Sequence, residues 1–130
     1  MLKGACCCRS VTYEVADEFD YAGYCHCKTC QARTGSAFSS FAGIAAEKLK
    51  ITSGEALLRT FGDPDGTYTR FCSRCGTTLL AGFGAGRLNV QMGTLIDTPS
   101  VRPREHIFVS RNAPWHEIAD SLPQYAGHRT

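Results

Sequence analysis

The chain has 130 residues, 43% of them hydrophobic, a formal charge of +2 and eight cysteines, which is the size of one domain with one modest core. Lys and Arg are scattered, and seven thiolates holding two divalent ions would bring the charge to about −1, leaving no electrostatic footprint for nucleic acid or an anionic membrane. No run approaches the roughly 20 apolar residues of a membrane span, and Met1-Leu2-Lys3-Gly4 leads at once into polar and cysteine residues where a secretory signal needs an apolar stretch of about 7–15; the expectation is a soluble cytoplasmic protein.

Cys6 and Cys8 come first, two apart and just before a strand-like run over residues 10–15. A period of two puts both sulfurs on one face and turns Cys7 the other way, either as a small buried apolar residue or as an eighth ligand, with alternation favouring the first. Cys25-His26-Cys27-Lys28-Thr29-Cys30 follows, with a helical turn expected just after Cys27. Further strand-like runs cover residues 38–44, 57–61, 68–72, 77–81, 88–93 and 107–110, with one more helical turn near 46–49. Gly62-Asp63-Pro64-Asp65-Gly66 is the strongest reversal signal and Gly84 to Gly86 a second. The core is therefore expected to be mainly antiparallel β.

Asn112-Ala113-Pro114 reads as the start of a short C-terminal helix stopped by Pro123, with Trp115 as its aromatic anchor on the sheet beside Ile118 and Leu122. Residues 1–125 are expected to form one zinc-binding domain and 126–130 a frayed tail.

Eight cysteines in a short chain suit either a disulfide framework or metal, and tight spacing in a reducing compartment favours metal. Cys72 and Cys75, followed by Gly76, form a knuckle in which glycine gives the backbone a positive φ. With Cys6 and Cys8 they supply four thiolates for a tetrahedral ion with Zn–S bonds near ~2.3 Å, a closed structural site pinning the N-terminus to mid-chain. The alternative is a set of inert buried cysteines. Cys25, Cys27 and Cys30 hold an ion locally with three sulfurs, leaving a fourth position for water or a thiol, as in catalytic zinc. His26, Cys7 or another side chain could fill that position and make this ion structural too.

The ordered series Gly4, Cys6, Cys8; Cys25-His26-Cys27, Cys30, Thr34-Gly35; Phe71-Cys72, Cys75-Gly76-Thr77; Gly93-Thr94-Leu95; His106-Ile107; and Trp115 resembles the glutathione-dependent formaldehyde-activating enzyme family, which includes relatives of centromere protein V. The resemblance covers nearly the whole chain. It implies a mainly β domain of curved antiparallel sheets, as in Rab-binding zinc proteins. It also implies a structural zinc on Cys6, Cys8, Cys72 and Cys75 and a catalytic zinc on Cys25, Cys27 and Cys30, two ions per chain. The implied activity is that of a carbon–sulfur lyase, joining glutathione to formaldehyde as S-hydroxymethylglutathione. Two positions depart from the pattern: Arg9 stands where the family often has glycine, and Ile96 precedes Asp97 where an acidic residue comes sooner after Gly-Thr-Leu.

His106 and Asp97 are candidates for proton transfer, although a hydrogen-bonded or capping role outweighs it for each. Arg33 follows the three-cysteine cluster and could meet a substrate carboxylate, with a solvated surface role favoured. The leading expectation is a zinc-dependent carbon–sulfur lyase or synthase acting on an adduct of glutathione or another small thiol with an aldehyde. The alternative is a non-catalytic, zinc-stabilised protein-binding module.

Overall fold

The computed structural model describes residues 1–129. In chain order the elements are β1 (Leu2–Ala5), β2 (Thr12–Val15), β3 (Tyr21–Cys25), α1 (Lys28–Thr34), β4 (Ser39–Ala45), β5 (Leu49–Ser53), β6 (Leu58–Gly62), β7 (Tyr68–Cys72), β8 (Thr78–Gly82), β9 (Arg87–Gln91) and β10 (His106–Ile107), with single 3-10 turns at Ala46–Lys48, Glu55–Leu57, Met92–Thr94 and Val109–Arg111. They make a three-stranded sheet, β1-β2-β5, and a seven-stranded sheet, β10-β3-β4-β9-β8-β7-β6. All pairings are antiparallel except that of β10 with β3. The fold is the expected mainly β one, with a single small helix.

Short strands rich in Val, Leu and Tyr leave one face to bury. Leu2, Tyr13 and Val15 from the small sheet, with Val11 just before β2, join Ile44, Leu58, Leu79, Leu80, Leu88 and Val90 from the large one in a single cluster, which also takes in Cys6 and Cys72. Close approach of the strands is secured by tyrosine rings lying over glycines directly opposite them: Tyr13 over Gly4, Tyr21 over Gly43 and Tyr68 over Gly82. A Cβ on Gly4 would sit 2.1 Å from the Tyr13 ring. The Tyr13 hydroxyl reaches Thr94 Oγ1 at 2.7 Å, tying β2 to the turn after β9.

The 62–66 reversal closes the β6–β7 hairpin, where Asp65 N–H donates to Asp63 Oδ1 at 2.9 Å. Gly84, Ala85 and Gly86, all at positive φ, turn β8 into β9. Helix α1 starts on Cys27 and stops on Gly35, whose φ of 68° is a left-handed cap.

The chain after Arg111 contains no helix among the described residues, contrary to the Asn112-Ala113-Pro114 start signal. Its backbone groups are drawn to β10 instead: His106 N–H donates to Pro123 O, Tyr125 N–H to His106 O and Val109 N–H to Tyr125 O. Trp115 consequently anchors nothing and is 71% exposed. Past Tyr125, Gly127 O accepts from Phe108 N–H and Ala126 O from the Ser110 hydroxyl. No helix among the described residues is long and apolar enough to cross a membrane.

Candidate metal centres

Beyond β1 the chain folds into a tight turn in which Cys6 N–H donates to Val11 O at 3.0 Å and Arg9 N–H to Cys6 O at 3.0 Å. Cys6 and Cys8 therefore converge from a turn and not from one face of a strand. Cys7 is exposed, where alternation favoured burial, and its N–H donates to Thr77 Oγ1. Arg9 closes the turn at φ 63°, the left-handed conformation that suits glycine, which accounts for the glycine the family pattern often has there.

Opposite this turn, β7 ends on Cys72, and Gly76 at φ 82° bends the chain so that Gly76 N–H donates back to Cys72 O at 2.8 Å. The sulfurs of Cys6, Cys8, Cys72 and Cys75 all lie within 4.8 Å of one another. Cys6 and Cys8 sulfurs are 3.6 Å apart and those of Cys8 and Cys72 3.9 Å apart. A tetrahedron with metal–sulfur bonds near ~2.3 Å has edges of about 3.8 Å, so the donor set fits zinc.

The second group lies at the end of β3. Cys25 is buried, and Cys27 caps α1 by accepting Cys30 N–H on its sulfur at 3.4 Å. The Cys25, Cys27 and Cys30 sulfurs also lie within 4.8 Å of one another, and this group holds three donors among the described residues. Three sulfurs at that separation fit a metal ion with one position not supplied by cysteine.

Both groups behave as thiols packed more tightly than they can all ionise. Hydrogen bonding from Cys25, chiefly, pulls Cys30 down to about 5, with Ser39, Cys27 and Arg33 helping against burial. Cys25, the donor to Cys30 and itself buried, is pushed up. Across the molecule the Thr77 hydroxyl, first, and neighbouring backbone amides bring Cys75 down to about 5. Burial raises Cys6 to about 11 even though Val11 N–H donates to its sulfur at 3.3 Å. A dication placed among such sulfurs removes the repulsion that keeps the last protons on.

His26 does not turn to the sulfurs beside it in sequence. It is fully buried, with Nε2 2.8 Å from His106 Nδ1, while Asp120 accepts from His106 Nε2 at 2.9 Å. Gln31, the buried residue of α1, donates from Nε2 to both His26 O and Arg111 O at 2.8 Å. Burial, and then the neighbouring His106 and His116 rings, lower the basicity of His26. Among the described residues His26 Nδ1 and Asn112 Oδ1 are buried without a hydrogen-bond partner.

Asp97 is exposed and accepts Lys3 N–H at 2.8 Å, fastening β1. Arg33 is half-buried in the last turn of α1. The Gln31 and Asp120 links escaped the sequence reading. His26 and His106 are 80 positions apart and Asp120 a further 14, and no periodicity joins them.

Fold and sites together define a small β protein built around two thiolate clusters that could bind zinc. The chain belongs to the glutathione-dependent formaldehyde-activating enzyme family, whose sequence model matches residues 1–111. Proteins of this family bind zinc, and membership points to glutathione- and formaldehyde-related chemistry. A crystal structure of a Rhodobacter sphaeroides protein is similar in fold, with a TM-score of 0.63 and 22% identity over 76% of this chain and 92% of that one. No curated protein matches the chain.

Proposed function

We propose that this protein is a zinc-dependent carbon–sulfur lyase or synthase that forms and cleaves the adduct of glutathione, or another small thiol, with an aldehyde such as formaldehyde. The observation that carries the reading is the difference in donor number, four sulfurs in one cluster against three in the other. Cys6, Cys8, Cys72 and Cys75 would hold a structural zinc, and Cys25, Cys27 and Cys30 the zinc at which the thiol reacts. Bound there, the ion supplies a Lewis acid that stabilises sulfur as an anion in both directions of the reaction.

In the forward direction the sulfur–carbon bond forms, the carbonyl π bond breaks, and the thiol proton ends on the new hydroxyl. The protein's own part is to position and to exclude. Cys25 lies buried against Ser39 of β4, while Cys27 and Cys30 are half-buried, so the cluster opens to solvent on one side. His26 does not join the donor set: neither ring nitrogen falls in the group of atoms within 4.8 Å of one another that Cys25, Cys27 and Cys30 form, and Nε2 is committed to His106. Cys7 sits by Thr77 in the other cluster's turn. Arg33 places a cation close enough to favour the Cys30 thiolate. A cytoplasmic setting, where reductants keep cysteines available to metal, is part of the proposal and rests on the tight spacing of the two cysteine clusters.

Exchange between free thiol plus aldehyde and their hemithioacetal, followed at equilibrium by nuclear magnetic resonance, tests the reading. Zinc-loaded protein should speed exchange about tenfold or more over its Cys27→Ser variant. Equal rates across several thiols and aldehydes would exclude catalysis and leave the protein-binding module.

A further inference from the structure

His26 separates two sulfurs of the three-cysteine cluster and is fastened at three points. Its N–H donates to Ile107 O at 3.0 Å, its carbonyl accepts from Gln31, and its ring meets His106 at 2.8 Å. Among the described residues Nδ1 has no well-formed hydrogen bond, although the Asn112 side chain lies beside the ring, so the His106 contact is the ring's one well-formed hydrogen bond. With the Asp120 carboxylate as acceptor, His106 Nε2–H donates to it and His106 Nδ1 accepts from His26 Nε2–H. Asp120 is itself set by Leu122 N–H, which donates to Oδ1 at 2.9 Å. It lies beyond residue 111, where the family match ends, in the segment that runs back along β10.

We propose that this C-terminal segment is a strap which, through Asp120, His106 and His26, holds the Cys25–Cys30 loop in metal-binding geometry. Asp120 and His106 are thus positioning residues for that cluster. The inference rests on the reading of Cys25, Cys27 and Cys30 as metal ligands and does not depend on the reaction. Swinging residue 26 displaces the sulfurs on both sides of it, and with three donors there is no spare ligand to absorb the change. Partners bonded directly to metal ligands typically set affinity by about 10–100-fold, and Asp120 and His106 act one residue further out, so the expected effect lies at the low end, about tenfold. Among the described residues no hydrogen bond ties the four-cysteine cluster to Asp120, so that cluster serves as an internal control within the same molecule.

The test compares zinc-loaded wild type with Asp120→Asn, Asp120→Glu and His106→Gln, timing release of each ion to a chromogenic chelator and recording the cobalt(II)-substituted absorption spectrum. Asp120→Asn keeps the side-chain shape and one acceptor for Leu122 on a largely exposed residue, so the fold is retained. It should release the ion of the three-cysteine cluster, expected to leave first because it has fewer protein ligands, about tenfold faster, change the release from the four-cysteine cluster less than twofold and alter the cobalt bands of one site only, with Asp120→Glu restoring both readouts in part. His106→Gln should match Asp120→Asn. Two phases with unchanged rates, or both phases accelerated by one factor as in general loosening, would overturn the proposal alone. A wild type that takes up a single ion even under excess zinc would overturn it together with the metal reading of the cluster.

Discussion

The two cysteine clusters are built from the same donor atom and differ in how they close the chain. The four-cysteine cluster joins Cys8 to Cys72 across 64 positions and brings the turn after β1 against the knuckle after β7. The three-cysteine cluster spans six residues at the mouth of α1 and closes almost no loop. Metal at the first site would therefore do folding work, since its binding free energy appears only when distant segments are together. Metal at the second would find a loop already held by hydrogen bonds from Gln31, Ile107 and His106. On the proposed reading one cluster makes the fold and the other uses it.

The sharpest way to break this contrast is to remove one sulfur from each. Cys72→Ser places a hydroxyl in a fully buried position and takes a ligand from a site whose metal contributes on the order of 10 kcal/mol, comparable with the whole stability of a domain. Loss of a cooperative thermal transition is expected by circular dichroism. Cys30→Ser should keep that transition, shifted by a few degrees, while one equivalent of zinc is lost. Equal damage from both variants would erase the division of labour.

The next largest effect comes from the arm that carries Cys6 and Cys8. Gly4→Ala drives a methyl group into the Tyr13 ring, and overpacking of this kind costs about 1–3 kcal/mol. Denaturant unfolding should show that loss, and zinc release should quicken at the four-cysteine site only.

Tyr13 gives the arm a pH signature. Burial, first, raises its hydroxyl from 10.0 to about 12. A phenol whose folded pKa is raised stabilises the fold fully below its unfolded value, and that contribution is lost as pH climbs from about 10 to about 12. The decline should approach about 3 kcal/mol. Tyr13→Phe should cost about 1 kcal/mol at neutral pH, through the lost Thr94 bond, and should show a shallower alkaline decline, keeping only the part due to other raised groups such as Tyr21. Parallel pH–stability curves for the two proteins would contradict the assignment.

The smallest effect is a gain. Arg9 sits at φ 63°, a conformation costing about 1–2 kcal/mol for a residue with a Cβ, offset in glycine by backbone entropy of about 0.5–1 kcal/mol. Arg9→Gly should therefore stabilise the protein by about 0.5–1 kcal/mol and leave the three-cysteine site untouched.

What the residues declared in advance was the short-range chemistry. The β7 run and the hairpin at 62–66 were legible because alternation and turn residues act locally, and the sulfur groups were legible because each pair is spaced for one turn. β1, β3 and β5 escaped notice: Gly4 interrupts the first, Ala22 and Gly23 the second, and Lys50 with Thr52 makes the third look like loop. Glycine there weakens the pattern because it is the partner of a ring on the next strand, as Gly4 is of Tyr13, which no local window reveals. Asn112-Ala113-Pro114 carries a valid helix-start signal, yet hydrogen bonds to His106 and Val109 outweigh local propensity. Cys7 was misplaced because strand alternation was carried into a turn. The link between His26, His106 and Asp120 is purely tertiary: His26 and His106 were visible as separate motif residues, but nothing in the sequence joined them or marked Asp120.

The central proposal is that the four-cysteine cluster is closed and the three-cysteine cluster open. X-ray absorption at the zinc edge of fully loaded protein, before and after adding glutathione, measures this directly. Seven sulfurs shared by two ions should give a mean of about 3.5 sulfurs and a residue of lighter donors, rising to about 4 sulfurs when the thiol binds. A sulfur count that glutathione leaves unchanged would contradict the open site and, with it, the proposed chemistry.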